Sequence, residues 1–118
     1  MKDMDSFTKA FFVAALWTST DDKGNPFDQN YDLEDIAPET VEQLSQDCSK
    51  FQSENSQLMQ GLSSSRCGHD FWLSRCGHGS GFFDEDSFPE EVKDKLQKAS
   101  HEFGNVDLYV GDDGKIYC

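Results

Sequence analysis

The sequence predicts an α+β domain: three helices and a small antiparallel sheet built from two β-hairpins, in the order helix, helix, hairpin, helix, hairpin. Three observations carry that reading. Apolar residues recur at three-and-four spacing in three separate stretches. An Asp-Gly turn near the C-terminus is flanked by alternating residues, and a glycine-rich run further back lies between two short aromatic runs. At 118 residues the chain supports one modest core. It therefore reads as a single domain over 1–118, with a helical half over 1–62 and a hairpin-helix-hairpin half over 66–118. Ten Phe and two Trp imply that the core rests on large rings.

Taken in order, Ser6 can cap a first helix over residues 7–17. Phe7, Phe11 and Ala14, with Ala10 and Ala15, form one face; Phe12, Val13, Leu16 and Trp17 cover much of the other. A helix apolar nearly all round is expected to be buried between layers or against a partner chain. Residues 18–36 read as a loop with Gly24-Asn25-Pro26 turn chemistry and six acidic residues, Asp21, Asp22, Asp28, Asp32, Glu34 and Asp35. Their spacing does not fit a calcium-binding EF-hand, which leaves a solvated acidic loop.

Pro38 suits the first position of a second helix, with Glu39 and Glu42 near its positive end. A narrow stripe follows, Val41, Leu44, Cys48, Phe51, Leu58 and Leu62, interrupted by Asn55. It is expected to dock on the chain's own core, with a short coiled-coil seam as the alternative. Ser63, Ser64 and Ser65 would end that helix. Phe71-Trp72-Leu73 and Phe82-Phe83 then flank a glycine-rich turn over 76–81, giving the first hairpin. Pro89 opens the third helix, whose apolar face is Val92, Leu96, Ala99 and Phe103, and Gly104 ends it. The second hairpin pairs residues 106–110 with 115–117 around Gly111-Asp-Asp-Gly114.

The densest candidate chemistry lies between the second and third helices. Ser-Arg-Cys-Gly-His occurs twice, ending at His69 and at His78. Cys67, His69, Cys76 and His78 are the right ligand types and number for tetrahedral zinc. One glycine separates the members of each pair and six residues separate the pairs, unlike the usual zinc hairpin. Closure is still conceivable on strands, where residues two apart share a face. A thiol nucleophile is the other chemical reading: Cys76 with His78 or His69, and Arg75 favouring the thiolate. No sequence signature of an orienting group or oxyanion site accompanies it. Ordinary turn and strand positions compete with both. Gly77, Gly79 and Gly81 suit a tight turn better than an anion-binding nest. Asp112 and Asp113 suit a hairpin turn better than a metal pair, and His101 reads as an exposed helical residue.

The formal net charge is −13, from 23 acidic and 10 basic residues. Such an excess repels nucleic acid and anionic membrane surfaces and steers the protein toward basic partners. Direct nucleic-acid binding would need clustered Lys and Arg, and here they are scattered. The apolar run over 11–17 is too short to span a bilayer, follows acidic Asp3 and Asp5, and precedes no cleavage motif. A cytosolic protein is expected, in which four cysteines read as thiols or metal ligands, not disulfides.

Three blocks, His69-Asp-Phe-Trp-Leu-Ser-Arg, Gly77-His-Gly-Ser-Gly-Phe-Phe-Asp84 and Gly104-Asn-Val-Asp-Leu-Tyr-Val-Gly-Asp-Asp-Gly-Lys-Ile-Tyr117, resemble those of a family of small uncharacterised bacteriophage proteins. Ala15-Leu-Trp-Thr-Ser-Thr-Asp-Asp22 and Asn30-Tyr-Asp-Leu-Glu-Asp-Ile-Ala-Pro38 resemble its N-terminal blocks. His69 and His78 match the family pattern, whereas Cys76 and Phe83 depart from it and the first Ser-Arg-Cys-Gly has no counterpart. The resemblance implies a phage gene product in the bacterial host cytosol and brings no activity with it.

Charge, size and resemblance together lead to the expectation of a non-enzymatic binding protein that acts on a basic host or phage partner. It would inhibit a host-defence or nucleic-acid enzyme as a nucleic-acid mimic, through Asp21, Asp22, Asp28, Asp32, Glu34, Asp35, Asp84, Glu85 and Asp86. Two alternatives stand beside it. One is a zinc- or thiol-dependent enzyme, or a zinc-stabilised module, centred on Cys67, His69, Cys76 and His78. The other is a homodimeric structural or regulatory protein paired through the 41–62 stripe or the first helix.

Overall fold

Helix α1 spans Ser6–Thr18 and begins on an acidic cap. Asp5 Oδ1 accepts a hydrogen bond from the Thr8 amide at 2.7 Å, so Asp5, not Ser6, fills the capping position. The second oxygen of Asp5 accepts from Gln52 Nε2 at 3.2 Å, tying α1 to the next helix. The computed structural model describes residues 5–19, 24, 26–27, 31–60, 63–75, 89–104, 106 and 108–118. Burial acts to raise the Asp5 carboxyl, but hydrogen bonds from Thr8 and Gln52 outweigh it and hold the group below the usual carboxylate range. Asp5→Ala is expected to cost about 1 kcal/mol, the usual worth of an N-cap. A group depressed in the folded state stabilises above its unfolded value and loses that contribution as pH falls through its folded value. Urea midpoints of the two proteins should therefore differ at neutral pH and converge in acid.

After a single 3-10 turn, Leu33–Asp35, capped reciprocally by Asp32 and Asp35, α2 spans Pro38–Asn55 with Pro38 at its start, as expected. Its stripe turns inward: Leu44, Cys48 and Phe51 are buried, and Val41 and Leu58 partly so. The stripe thus docks on the chain's own core. The helix is shorter than the stripe, and at its last residue Asn55 Nδ2 donates back to the Phe51 carbonyl at 2.9 Å.

The predicted first hairpin is overturned. Phe71, Trp72 and Leu73 lie in α3, Ser64–Arg75, and all three are buried. Residues 76–88, its other half, lie outside the described residues. The described residues thus contain four α-helices and one two-stranded sheet, in place of three helices and two hairpins. The cause is tertiary. Cys67 and Phe71, like Gly68 and Trp72, stand four apart and line sides of a helix that α1 and α2 cover. Phe71 stacks on Phe51 of α2 (centroids 4.1 Å apart, planes at 20°), and Phe11 of α1 meets Trp72 edge-on at 5.4 Å. Trp72 Nε1 donates to Thr18 Oγ1 at 2.6 Å, and that hydroxyl donates to the Ala14 carbonyl. Gly68 allows the approach, since a Cβ there would run into the Phe7 carbonyl. Aromatic preference for strands yields to this packing.

Helix α4, Glu90–His101, follows Pro89 and gives way to Gly104 at φ +81°, as the sequence indicated. Arg75 joins it to α2 and α3. The guanidinium is buried, with Nη2 2.8 Å from Asp47 Oδ2, and it donates to the Gly104 and Phe103 carbonyls at 2.7 and 3.1 Å. It also lies over the Phe71 and Phe103 rings. A buried cation persists where such partners surround it.

The C-terminal hairpin forms with shorter strands than expected: β1, Tyr109–Val110, pairs antiparallel with β2, Ile116–Tyr117. Ile116 also bridges Ile36 in parallel, and its carbonyl accepts from the Ala37 amide at 2.9 Å. The small sheet thus fastens to the chain just before α2.

Candidate functional site

Helix α3 decides what the first Cys-His pair can do. On a strand, Cys67 and His69 would share a face; on a helix, residues two apart leave on different sides. Cys67 points into the core, while His69 is partly exposed and packs on the Trp17 ring with centroids 6.1 Å apart. The two do not converge. Cys76 and His78 lie outside the described residues. Among the described residues no group of three or more His, Cys, Asp or Glu side chains is placed to hold a metal ion. The Nε and Nη2 of Arg75 are held by Asp47 and two backbone carbonyls. Burial pushes the Cys48 thiol far above its usual range, so it is protonated at neutral pH.

At the hairpin turn, Asp113 accepts from the Lys115 amide at 3.0 Å and from the Tyr117 hydroxyl at 2.7 Å. That second bond pushes the Tyr117 phenol up to about 12, with smaller contributions from desolvation and nearby negative charge. Both Asp113 oxygens thus serve the turn. His101 is exposed at the end of α4, as expected, with Nε2 3.2 Å from Gln97 Nε2.

Of the nine carboxylates expected to meet a partner, Asp32, Glu34 and Asp35 are described; Asp21, Asp22, Asp28, Asp84, Glu85 and Asp86 lie outside the described residues. Glu34 and Asp32 are exposed, but Asp32 and Asp35 each use a carboxylate oxygen in the reciprocal cap. Six further carboxylates, which sequence reasoning missed, lie on two of the helices. Glu39, Glu42 and Glu54 on α2, and Glu90, Glu91 and Asp94 on α4, are all exposed. The signal was there: each lies outside the apolar stripe of its helix, and such positions face solvent. Cations offset this surface only in part. Lys95 pairs with Glu91 and Lys98 with Asp94, both at 3.1 Å across one turn of α4, while Arg75 is buried. Helix α1 contributes nothing negative, having Lys9 and no Asp or Glu.

No family model matches the chain. Neither the curated proteins nor the solved structures give a match. Among the described residues no helix is long and apolar enough to cross a membrane. The reading of function rests on the surface itself.

Proposed function

We propose that the protein is a non-catalytic binding protein that offers a negative exterior to a basic partner, occupying a site on that partner which otherwise holds nucleic acid. The observation that carries this is the placement of the charge. Carboxylates at positions 34, 39, 42, 54, 90 and 91 project from the 3-10 turn, α2 and α4, and of these six the exposed cations on α4 answer only Glu91. A net charge of −13 on a chain of this length gives such a surface long-range attraction for a cationic site. The block resemblance to small phage proteins supports a host enzyme or defence factor in the bacterial cytosol as the target.

Capture from host lysate on the immobilised protein tests the reading. At about 50 mM salt a basic protein should be retained, and at about 500 mM, where the screening length shrinks several-fold, retention should fall steeply. Charge reversal of the α2 set, Glu39→Lys, Glu42→Lys and Glu54→Lys together, should weaken capture while leaving the helical signal in circular dichroism unchanged. Retention of nothing at either salt, or of a partner indifferent to both salt and charge reversal, would count against it.

A further inference from the structure

The C-terminal hairpin turns its two tyrosines away from the core. Across the ladder Tyr109 pairs with Tyr117 and Val110 with Ile116, and cross-strand partners share a face. Ile116 is buried and Val110 packs against the core, so the alternating pair of tyrosines points outward. Tyr109 is 55% exposed, and its ring stacks on that of Tyr117 with centroids 5.9 Å apart and planes at 22°. The Tyr117 ring is fixed in place. Its hydroxyl donates to Asp113 at 2.7 Å, and its edge lies over Gly111, where a Cβ would come within 2.6 Å of Cε1. Among the described residues no cation lies over either tyrosine, whereas Phe71 and Phe103 are covered by Arg75 or Lys50.

The charge around this face is negative. Asp113 sits at the Tyr117 hydroxyl, and Glu39 follows Ala37, whose amide donates to the Ile116 carbonyl. The charges of both carboxylates reach the Tyr117 phenol and help to keep it protonated. Lys115 is the hairpin's own cation, but it enters none of the ion pairs among the described residues. Its charge is also the weakest of the influences that hold the Asp113 carboxyl low.

We propose that the Tyr109–Tyr117 face of the hairpin seats an arginine side chain of the basic partner, an inference that rests on the reading of the acidic exterior given above. Carboxylates alone attract any cation; an exposed aromatic face adds a choice between cations. A guanidinium is planar, stacks flat on a ring and is more weakly hydrated than an ammonium, so arginine gains more here than lysine. Glu39 and Asp113 then offer acceptors to its N–H groups, since the bonds within the turn use only part of the capacity of Asp113. The rings are already ordered by the hairpin, which lowers the cost of seating the ligand.

Titration of the full chain with hexa-arginine and with hexa-lysine, at about 150 mM salt, tests the proposal. Hexa-arginine should bind about two- to five-fold more tightly, the yield of one exposed cation–π contact. Tyr109→Leu, which keeps an apolar side chain and removes the ring face, should bring the two affinities together, and Tyr109→Phe should restore the difference. Circular dichroism of both variants should match the parent. In the parent, the ring-proton resonances of Tyr109 and Tyr117 should move on adding hexa-arginine. Equal binding of the two peptides overturns the proposal, as does binding of neither, a preference that survives Tyr109→Leu, or tyrosine resonances that stay in place. Equal and salt-sensitive binding leaves the acidic exterior standing, and that reading is judged by the lysate capture, so the two fail separately.

Discussion

Phe71→Ala is expected to lower stability by about 3–5 kcal/mol, the range for removing a fully buried ring. Among the described residues the Phe71 ring meets four other aromatic rings. Phe71 stacks on Phe51 of α2, lies 5.8 and 5.3 Å from the Phe7 and Phe11 rings of α1, and meets Phe103 edge-on at 5.4 Å. Arg75 covers part of the ring from above. Each aromatic pair adds about 0.5–1.5 kcal/mol beyond its buried area, and alanine removes them together. Domains of this size have only about 5–15 kcal/mol in total, so the variant should unfold at a much lower urea concentration. Fluorescence of buried Trp72 and far-ultraviolet circular dichroism should report one shifted transition. A change below about 1 kcal/mol would mean that Phe71 does not sit where helices α1, α2 and α3 meet.

Gly68→Ala should rank close behind, through the opposite mechanism. One methyl group is added where none fits, because the obstructing atoms belong to the Phe7 backbone and no rotamer change moves them aside. Helix α1 must shift away from α3, which loosens the Phe11–Trp72 contact and the Trp72–Thr18 hydrogen bond together. Overpacking of this kind costs about 1–3 kcal/mol and occasionally more. Alanine would raise intrinsic helix propensity by about 1 kcal/mol, so an observed loss is a net figure that understates the clash. Thermal unfolding of the two proteins decides it. A more stable Gly68→Ala would show that α1 and α3 do not cross at this residue.

How much of this the sequence discloses depends on the element. Helices α2 and α4 are legible because their apolar residues form narrow stripes and prolines mark their beginnings. Gly104 marks the end of α4, and Asp-Gly marks the C-terminal hairpin. Helix α3 is not legible, for a physical reason. Its residues are buried almost all round, so no solvent face imposes a period, and Gly68 and the aromatic triplet 71–73 point locally toward turn and strand. The four-residue offsets Cys67–Phe71 and Gly68–Trp72 were the available signal. Three serines that read as a stop are better explained by a start, since Ser63 Oγ accepts from the Arg66 amide at 3.4 Å.

The same limit shapes the candidate surfaces. Total charge is plain from composition, and so is the want of acidic residues over 6–18, but which carboxylates of α2 and α4 face solvent appears only once the stripes have been turned inward. For α1, apolar on every side, no periodicity can say which side is left open. Val13 and Trp17 are left exposed by where α3 lies, not by anything in their own helix.

The bridge between Ile36 and Ile116 joins two positions separated by most of the polypeptide. Contacts of such long loop closure form late, after the intervening helices have settled. The Ala37 amide, which donates to the Ile116 carbonyl, is consequently a sentinel hydrogen: its protection from solvent exchange marks molecules whose assembly is complete.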